Sequence, residues 1–400
     1  MRAVVLGGGG LTGRCAVRDL VRGGRFTEVV AADLDRGLAE AAARAAGPTA
    51  RAETCDVRSA PSLRNALTGA TVCVNAVQYT FNLEVMRGCL DAGVPYLDFG
   101  GLFHTTRRQM RLDEEFRQAQ LLAIPGMGQV PGASNILARA ATEDLDSVES
   151  LVIRDGWRDL TENGPEVVFT WSPSTFLDEM VLPAQVWDSG RYHEVPAMSG
   201  GEEFDFPEPI GRTRVYRTLH SEPATLPATL SKGNVAHCEW KEGGPGIEML
   251  RSLALLGLGG SEPIEVNGHP VPPKEFLLAL LRQRGLLGYP AGVTIDDWEV
   301  VDLEVKGRKG GQTIVRHAQA RFPPKPEWHL SATEYAVGVC GAIGAEMIAG
   351  GLASGFGVVP PELAILPEPF RAALRERGIE SALSPPEAPL GPEFRLGAKR

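Results

Sequence analysis

Two residues that could transfer protons, Asp98 and His104, lie in the segment YLDFGGLFHTT. Asp98 ends a short apolar run that is typical of a strand, and a glycine pair separates it from a histidine that could start a helix. A histidine titrates near neutral pH and suits a proton relay, while a neighbouring carboxylate could orient the imidazole or hold a substrate cation. We predict both as catalytic residues. The alternative for His104 is a helix-start residue that only completes the loop's hydrogen bonds.

A glycine-rich turn near the N-terminus could bind a dinucleotide. In RAVVLGGGGLTGRCAVRDLVRGG, the spacing G-x-G-x-x-G falls between a strand pattern and a helix pattern. Such glycines permit a tight turn and close approach of a pyrophosphate, and the amides at the helix start face the phosphates. The alternative is a glycine-rich turn in a domain that binds no nucleotide. The cofactor-binding residues predicted here are Gly8, Gly10, Leu11, Thr12 and Gly13.

The choice of nucleotide depends on the end of the second predicted strand, VVAADLD, which contains Asp33. A carboxylate at this place can accept hydrogen bonds from both ribose hydroxyls and repels a 2′-phosphate. Arg36, three residues later, could instead pair with that phosphate. We therefore predict NAD as the cofactor, with NADP possible.

The ends of the later strands should border the same cofactor, because parallel sheets bind ligands outside the carboxyl ends of their strands. The strand patterns are RAETCDV, ATVCVNAVQYTFN and the run that ends at Asp98. Asp56 could meet the adenine side of the nucleotide, or it could merely cap the next helix. The residues predicted to bind the cofactor are Asp56, Val57, Asn75, Ala76 and Val77, and those predicted to bind the substrate are Tyr79 and Asn82.

The segment GMGQVPGASN is predicted to lead from the sixth strand into a helix. Its backbone amides could form an anion cradle for the nicotinamide carboxamide or for a substrate carboxylate. Alternatively, it is a hinge between domains that needs glycine only for its conformation. We predict Gly126 and Gly128 as cofactor-binding residues and Gln129 as a substrate-binding residue.

A second group of charged residues lies in RTRVYRTLHSEPATLPATL. A guanidinium fork is well suited to a carboxylate, which makes Arg212 and Arg214 candidates for holding one. Strand alternation places both on one face, so a solvated sheet face would explain them equally. His220 and Glu222 are further substrate-binding candidates; Glu222 precedes a proline, favours an extended conformation and could bind an ammonium group.

The segment TWSPSTFLDEM offers Trp171 as an apolar wall for an aliphatic substrate chain. Core packing would explain the tryptophan as well. Asp178 and Glu179 follow on a predicted helix, where we expect them to be surface charges.

The whole-chain composition excludes several functions. The 400 residues carry a formal charge of −10, which argues against nucleic-acid or anionic-membrane partners. Six scattered cysteines without a C-x-x-C pair predict reduced thiols and no metal site. The chain enters a strand at once, without room for a signal peptide, so we predict a cytoplasmic protein. The late apolar segment around Glu346 is predicted to be a buried helix rather than a membrane span.

Seven segments taken in order resemble the saccharopine dehydrogenase-like oxidoreductases, and most of all their lysine 6-dehydrogenase branch. They are NAVQYTFN, GVPYLDFGGLFHTT, IPGMGQVPGASNILA, WSPSTFLDEMVLPA, LHSEPATLP, IEVNGHPVPPKEFLLALL and GVVPPELAI, and they cover nearly the whole chain.

The resemblance implies an α/β fold. A Rossmann-type doubly wound parallel sheet is expected at 1–128, completed by a returning segment at about 331–375. An inserted α/β (α+β) substrate and dimerisation domain is expected at 129–330, so we predict a homodimer. The proline-rich end, 380–400, is predicted to be a flexible tail.

The resemblance also implies hydride exchange between a nicotinamide cofactor and an amine of a small-molecule amino-acid substrate. The leading prediction is oxidation of the lysine ε-amine to a semialdehyde that cyclises to piperideine carboxylate. Because this amine has a pKa of about 10.4, the site must desolvate it or accept its proton, a task that Asp98 or His104 could perform.

Two departures from the family keep other functions open. Gln78 replaces a frequent proline, and Val130 stands where many relatives carry an acidic residue. Loss of that carboxylate weakens the case for a saccharopine-type imine reductase that joins an aldehyde to an amino acid, which is the first alternative. The second is a nucleotide-sensing protein without catalytic activity.

Overall fold

Short runs of valine, alanine and leucine alternate with amphipathic segments through the first third of the chain, and each run becomes a buried strand. The computed structural model describes residues 1–384. The elements of the N-terminal domain are β1 (Arg2–Leu6), α1 (Leu11–Gly23), β2 (Glu28–Asp33), α2 (Arg36–Ala46), β3 (Ala50–Thr54), α3 (Ala60–Leu67), β4 (Val72–Asn75), α4 (Asn82–Ala92), β5 (Tyr96–Asp98), α5 (Leu102–Gln109), α6 (Asp113–Gln118) and β6 (Leu122–Ile124).

Longer strands with alternating polar and apolar residues follow, and a buried helix then leads back to the first domain. The second domain contains α7 (Ala133–Thr142), β7 (Ser147–Asp159), α8 (Pro173–Val181), β8 (Ala184–Asp188), β9 (Arg191–Val195), β10 (Ser199–Asp205), β11 (Arg212–Arg217), α9 (Leu226–Thr229), β12 (His237–Gly243), α10 (Ile247–Leu255), β13 (Ile264–Val266), β14 (His269–Val271), α11 (Pro273–Gln283), β15 (Asp297–Lys309) and β16 (Gln312–Phe322). The last elements are α12 (Ala332–Ala349), β17 (Gly357–Val358), α13 (Pro361–Ala364), α14 (Pro367–Glu376) and β18 (Glu380–Leu383).

The first sheet is parallel throughout and has the order β17-β6-β5-β4-β1-β2-β3. Strand order reverses between β1 and β4, which opens a crevice at the carboxyl ends of these strands. The predicted fold class is therefore confirmed: a doubly wound parallel sheet joined to a second domain built on a mixed sheet.

The second sheet has the order β10-β11-β12-β7-β15-β16-β18, with β8 on β12 and β9 on β8. The pairing of β12 with β7 is parallel, whereas β15 pairs with β7 in antiparallel fashion. The sequence predicted a flexible tail at 380–400, but Glu380–Leu383 forms the last strand of this sheet and pairs with β16, so the prediction is wrong for these residues. The rest of that predicted tail lies outside the described residues.

Helix α12 connects the two domains. Ser331 caps its N-terminus and forms a capping box with Glu334, whose carboxylate also pairs with Arg14 of α1 at 2.6 Å. A carbon added at Gly338 would lie 2.5 Å from the Cβ atom of Cys15, so glycine is what lets α12 approach α1 this closely. No helix within residues 1–384 is long and apolar enough to cross a membrane.

Candidate active site

The glycine turn has the shape that a dinucleotide requires. The amide of Gly10 donates to the carbonyl oxygen of Gly7 at 3.0 Å, which closes the turn directly before α1. A carbon added to Gly13 would lie 2.1 Å from that same oxygen, and one added to Gly8 would lie 2.8 Å from Cα of Ala31. Side chains are therefore excluded, and the free amides at the start of α1 face the crevice. These residues fit a pyrophosphate.

Asp33 lies at the end of β2 beside this turn. Its two carboxylate oxygens accept hydrogen bonds from the amides of Gly9 and Asp35, both at 3.0 Å. The carboxylate is thus held where a ribose would follow the pyrophosphate. Arg36, the residue that could have favoured NADP, donates instead to Glu40 at 2.8 Å on the exposed face of α2.

We expect the protein to bind NADH at least tenfold more tightly than NADPH, and Asp33→Ser to remove that preference. The reason is that a carboxylate accepts charge-assisted hydrogen bonds worth about 1.5–3 kcal/mol from ribose hydroxyls and repels a 2′-phosphate. Fluorescence titration of both reduced cofactors measures this without any substrate. Arg36→Gln is the control and should leave NADH binding unchanged. Equal affinity of the unmodified protein for the two cofactors would refute the role given to Asp33.

Asp56 and Val57 follow β3 at the same edge of the sheet. The Asp56 carboxylate pairs with Arg58 at 2.8 Å, and hydrogen bonds from Arg58 lower its pKa. Ser59 caps α3 by accepting the amide of Ser62 at 3.4 Å. The capping role considered for Asp56 is therefore excluded, and its position at the adenine side stays a prediction.

Asp98 is a buried structural carboxylate. It is only 1% exposed, and its pKa is raised by burial although its hydrogen-bond donors oppose that shift. The donors are the amides of Gly100 and Gly126 at 2.7 Å each, the Tyr96 hydroxyl at 2.7 Å, and the side-chain nitrogens of Gln109 and Asn82 at 2.5 and 3.3 Å. With its oxygens occupied, Asp98 holds two loops together and does not face a cavity.

His104 is exposed on α5, and its ring touches the edge of Phe103 at a centroid distance of 5.3 Å. Its neighbours on the helix point inward, whereas His104 faces solvent. The structure therefore does not assemble Asp98 and His104 as the catalytic pair that the sequence predicted.

The loop after β4 is divided between structural and cavity-lining residues. Asn75 donates to the side-chain oxygen of Asn82 at 2.9 Å, and Asn82 is 1% exposed, so the prediction that Asn82 binds the substrate is wrong. Tyr79 does border a cavity and donates to Asp178 at 2.9 Å. Ala76 and Val77 border the same cavity.

The crossing segment after β6 is a closed hinge. The amide of Gly126 donates to Asp98, and that of Ala133 donates to the carbonyl oxygen of Gly128 at 3.1 Å. Gly132 has φ 129°, and a carbon added to it would lie 2.1 Å from the same carbonyl oxygen. The glycines therefore serve the conformation, and neither Gly126 nor Gly128 borders the cavities described next, so their contact with the cofactor stays a prediction.

Two cavities adjoin at the boundary of the domains. The first, of about 260 Å³, which we call the cofactor cavity, is bordered by Leu11, Thr12, Ala76, Val77, Tyr79 and Gly100. The second, of about 230 Å³, which we call the acid cavity, is bordered by Gln129, Asp155, Asp159, Glu242, Asp297 and Glu299. The two share the walls formed by Val130, Trp171, His220 and Val337. A ligand in one would therefore meet a ligand in the other.

The acid cavity arises where one face of the second sheet changes from apolar to acidic. Ile153, Trp240 and Val301 lie in the main core. Because side chains two residues apart share a face, the next inward positions toward the cavity are acidic on all three strands. Those positions are Asp155 on β7, Glu242 on β12 and Glu299 on β15, and Asp155 is directly paired with Glu242.

These carboxyl groups are buried with no lysine or arginine among the described residues paired to them, although the His220 imidazole lies near Glu242 and Glu299. Burial raises the pKa of Asp155, Glu242 and Glu299, and Asp155 and Glu299 lie close enough to share a proton. Oδ1 of Asp155 and Oε1 of the fully buried Gln129 have no hydrogen-bond partner, while the Gln129 amide group lies against Glu299 and lowers its pKa. Such buried polar atoms are costly unless a ligand satisfies them.

The cations near the cavity are already engaged. Among the described residues that border either cavity, Arg158 is the one arginine or lysine, and it donates to the carbonyl oxygens of Pro209 and Ile210 at 3.3 and 3.4 Å. Arg212 and Arg214, predicted to hold a carboxylate, are exposed beside Glu203 at 3.7 and 3.6 Å and border neither cavity. They form the solvated sheet face that the sequence left as their alternative.

His220 is the group best placed to transfer a proton, because it borders both cavities. Its Nδ1 atom contacts the fully buried Glu222, whose other oxygen accepts from Ser134 at 2.8 Å. Its ring stacks on Trp240 at 3.9 Å. Burial lowers the pKa of His220, but Glu222 and the neighbouring acids outweigh that effect, and the net shift is upward.

The structure thus makes Glu222 an orienting carboxylate behind the imidazole rather than a cavity residue. Nε2 of His220 lies 3.9 Å from Glu179. Glu179 is 1% exposed with one unpartnered oxygen, so the surface position predicted for it is wrong. Trp171 is a wall of both cavities, where the sequence allowed it to be.

Sequence reasoning missed Asp155, Glu242, Asp297 and Glu299. A signal was present, since each is an acid at an inward position of a strand with alternating apolar residues, as in SLVIRDGWRD and HCEWKEGG. Among residues 1–384, no group of three or more His, Cys, Asp or Glu side chains is arranged to hold a metal ion.

Comparisons with known proteins cover both domains. Residues 3–124 match the family described as the saccharopine dehydrogenase NADP binding domain, and residues 128–379 match the saccharopine dehydrogenase C-terminal domain. The chain is 25% identical over 324 residues to carboxyaminopropylagmatine dehydrogenase of Synechocystis, covering 78% of this chain and 79% of that protein. It is 24% identical over 254 residues to carboxynorspermidine synthase of Vibrio alginolyticus, covering 60% and 59%.

Two solved structures show the same fold. Apo saccharopine dehydrogenase (L-Glu forming) from Saccharomyces cerevisiae superposes with a TM-score of 0.71 at 16% identity, over 96% of this chain and 100% of that one. Homospermidine synthase from Legionella pneumophila in complex with NAD superposes with a TM-score of 0.62 at 12% identity, over 96% and 91%.

Proposed function

The chain belongs to the saccharopine dehydrogenase family and is an oxidoreductase that uses NAD(P); from this premise we propose that it makes or breaks a carbon–nitrogen bond of a linear polyamine. In the synthetic direction it reduces the imine formed between a primary amine of the polyamine and an aldehyde. This differs in substrate from the lysine oxidation that the sequence predicted.

The observation that supports this proposal is the junction of the acid cavity with the cofactor cavity at His220. The acid cavity places Asp155, Glu242 and Glu299 beside each other without a free cation among the described residues that border it. Buried carboxylates of this kind favour a cationic ligand, because the ligand's charge offsets their mutual repulsion.

The names of the two curated relatives favour the same substrate class. Both names combine a carboxy group with a polyamine-type chain, agmatine in one and norspermidine in the other, and each chain consists of methylenes that carry cationic nitrogens. The walls of the acid cavity suit such a molecule, since Trp157, Trp171 and Phe176 offer apolar surface to the methylenes in the same cavity that the carboxylates border.

The residues divide the chemistry as follows. The cofactor, when bound, supplies the hydride to the imine carbon or accepts it in the reverse direction. His220, held by Glu222, donates a proton to the imine nitrogen in the reductive direction and removes one from the amine in the oxidative direction. The acid cavity binds the remaining cationic nitrogens and excludes bulk water from the junction.

Oxidation of lysine is the competing function, and the acid cavity argues against it. An amino acid brings an α-carboxylate that needs a cation or a set of free donors. The one arginine among the described lining residues, Arg158, donates through Nη1 to two carbonyl oxygens and lies on the face of β7 opposite Asp155 and Asp159. A carboxylate would therefore enter an acidic cavity without a partner.

The test combines the protein, NADPH or NADH, one of several diamines or spermidine, and one of a panel of aliphatic and carboxylated aldehydes. We expect oxidation of the reduced cofactor only when both a polyamine and an aldehyde are present, with a secondary-amine product in mass spectrometry. Parallel reactions contain lysine with NAD⁺. Turnover of lysine together with inactivity of every polyamine would overturn the proposal.

A further inference from the structure

The carboxylates of the acid cavity are arranged in three successive pairs of strand positions, which we call rungs. The inner rung is Asp155 with Glu242, which are paired in the β7–β12 register. The middle rung is Glu299 opposite Trp157, and the outer rung is Asp159 opposite Asp297, both in the β7–β15 register. All six residues border the acid cavity.

The rungs are evenly spaced along the strand direction. Each lies two residues beyond the one before, and a strand rises about 3.3 Å per residue, so neighbouring rungs are about 6.6 Å apart and the outer rung is about 13 Å from the inner one. Neighbouring nitrogens in an extended aliphatic polyamine have a comparable separation. The three rungs therefore match a chain of charges rather than a single charge.

The outer rung is held in place by its surroundings. Asp297 is 8% exposed and accepts the amide of Ala332, the first residue of α12, at 2.9 Å, while burial raises its pKa. Tyr289 lies beside it, with its hydroxyl directed at Asp159. Like charges directly opposite on neighbouring strands destabilise a sheet, so this pairing favours a cation between the two carboxylates.

The inner end of the cavity has unsatisfied polar atoms that point to a ligand. Oδ1 of Asp155, which is 3% exposed, has no partner, and Oε1 of the fully buried Gln129 has none either, while the Gln129 amide group lies against Glu299. Trp157 on the middle rung donates its indole nitrogen to the Pro245 carbonyl at 3.2 Å, which fixes its ring beside Glu299. An aromatic face at that position can cover methylenes or a cation.

We propose that the acid cavity measures the length of its substrate: it selects a linear polycation whose terminal charges span the inner and outer rungs, with Asp159 and Asp297 binding the distal charge. This inference rests on the proposed function, because that function places the reacting amine near His220. A monoamine reaches only one rung, 1,4-diaminobutane reaches two, and spermidine reaches all three.

The experiment is calorimetric titration of the full-length protein, saturated with NAD⁺, with 1-aminobutane, 1,4-diaminobutane and spermidine. We expect affinity to rise in that order. Because Asp159 is exposed, Asp159→Asn should weaken spermidine binding about fivefold, the upper scale of an exposed ion pair, and leave the affinity for 1,4-diaminobutane unchanged. Glu304→Gln is the control, because Glu304 lies on the opposite face of β15, beside Arg154, and should leave all three affinities unchanged.

Equal affinities for the three amines, no binding of any of them, or equal weakening of all three by Asp159→Asn would each overturn the rung arrangement. The result is separable from the proposed function. Affinities that rise with amine length in a protein without turnover would support length selection and refute the proposed reaction. Turnover with equal affinities for the three amines would support the reaction and refute length selection.

Discussion

His220→Asn is expected to lower kcat for imine reduction by roughly 10²–10⁴-fold, which is the usual contribution of a positioned proton donor. Among the described residues, the imidazole of His220 is the one titratable side chain that borders both cavities, and Glu222 contacts its Nδ1 atom, which leaves Nε2 for the junction. Asparagine keeps polarity at the site but cannot carry the proton. Steady-state rates with saturating polyamine, aldehyde and reduced cofactor give the comparison.

His104→Ala is the matched control and should keep kcat within about twofold, because an exposed residue away from both cavities has little effect. Glu222→Gln tests the orienting role of that carboxylate. Since the Glu222 charge raises the pKa of His220, its removal should move the alkaline limb of the reductive pH profile to lower pH. Unchanged kcat in His220→Asn, or a large loss in His104→Ala, would contradict the assignment.

Asp155→Asn is expected to stabilise the ligand-free protein at alkaline pH and to weaken polyamine binding at least tenfold. Burial raises the pKa of Asp155, Glu242 and Glu299 above the unfolded value of about 4. Above that value the folded state holds protons that the unfolded state releases, so the free energy of unfolding falls as pH rises. An amide removes one titrating group and its repulsion, a gain of about 1–3 kcal/mol on the scale seen when buried charges are replaced.

Denaturant unfolding at several pH values from about 5 to 9 measures this effect. The free energy of unfolding should fall more steeply with pH in the unmodified protein than in Asp155→Asn, and added spermidine should stabilise the former much more. Glu304→Gln again serves as the control, with a slope like that of the unmodified protein. If Asp155→Asn is less stable than the unmodified protein at high pH, the carboxylate is needed for the fold rather than for a cation.

The nucleotide half of the site was accessible from sequence because its signals are local. Gly8, Gly10 and Gly13 lie within one turn, and each is required by backbone contacts that neighbouring residues create. Asp33 follows at a fixed distance because one helix and one strand intervene. Reasoning from strand ends predicted Ala76 and Val77 to bind the cofactor and Tyr79 to bind the substrate, and all three residues border the cofactor cavity.

The carboxylates of the acid cavity were not accessible from sequence, because they meet only through long-range pairing, whereas His220 and Trp171 were among the predicted substrate-binding residues. Asp155 is joined to Glu242 across a parallel pair and to the Glu299 strand across an antiparallel pair, and the sequence fixes neither register. The predicted pairing of His104 with Asp98 was not found for a related reason. Proximity in sequence does not determine which face of α5 packs inward, and His104 lies on the exposed face. Asp98 itself is surrounded by donors from four separate segments, which no local pattern reveals.

Helix α12 contacts residues of both cavities and of the helix that follows the glycine turn. At its start, α12 donates hydrogen bonds to Asp297 from the Ala332 amide and to Glu299 from the Thr333 hydroxyl, the latter at 2.7 Å. One turn later, Val337 borders both cavities. Glu334 pairs with Arg14 of α1, the helix whose N-terminus faces the predicted phosphate site. Any movement of α12 that accompanies binding of the dinucleotide would therefore shift the positions of the carboxylates that we propose bind the amine. Thermodynamic linkage then requires a reciprocal effect: if the bound dinucleotide changes the affinity for the amine by some factor, the bound amine changes the affinity for the dinucleotide by the same factor.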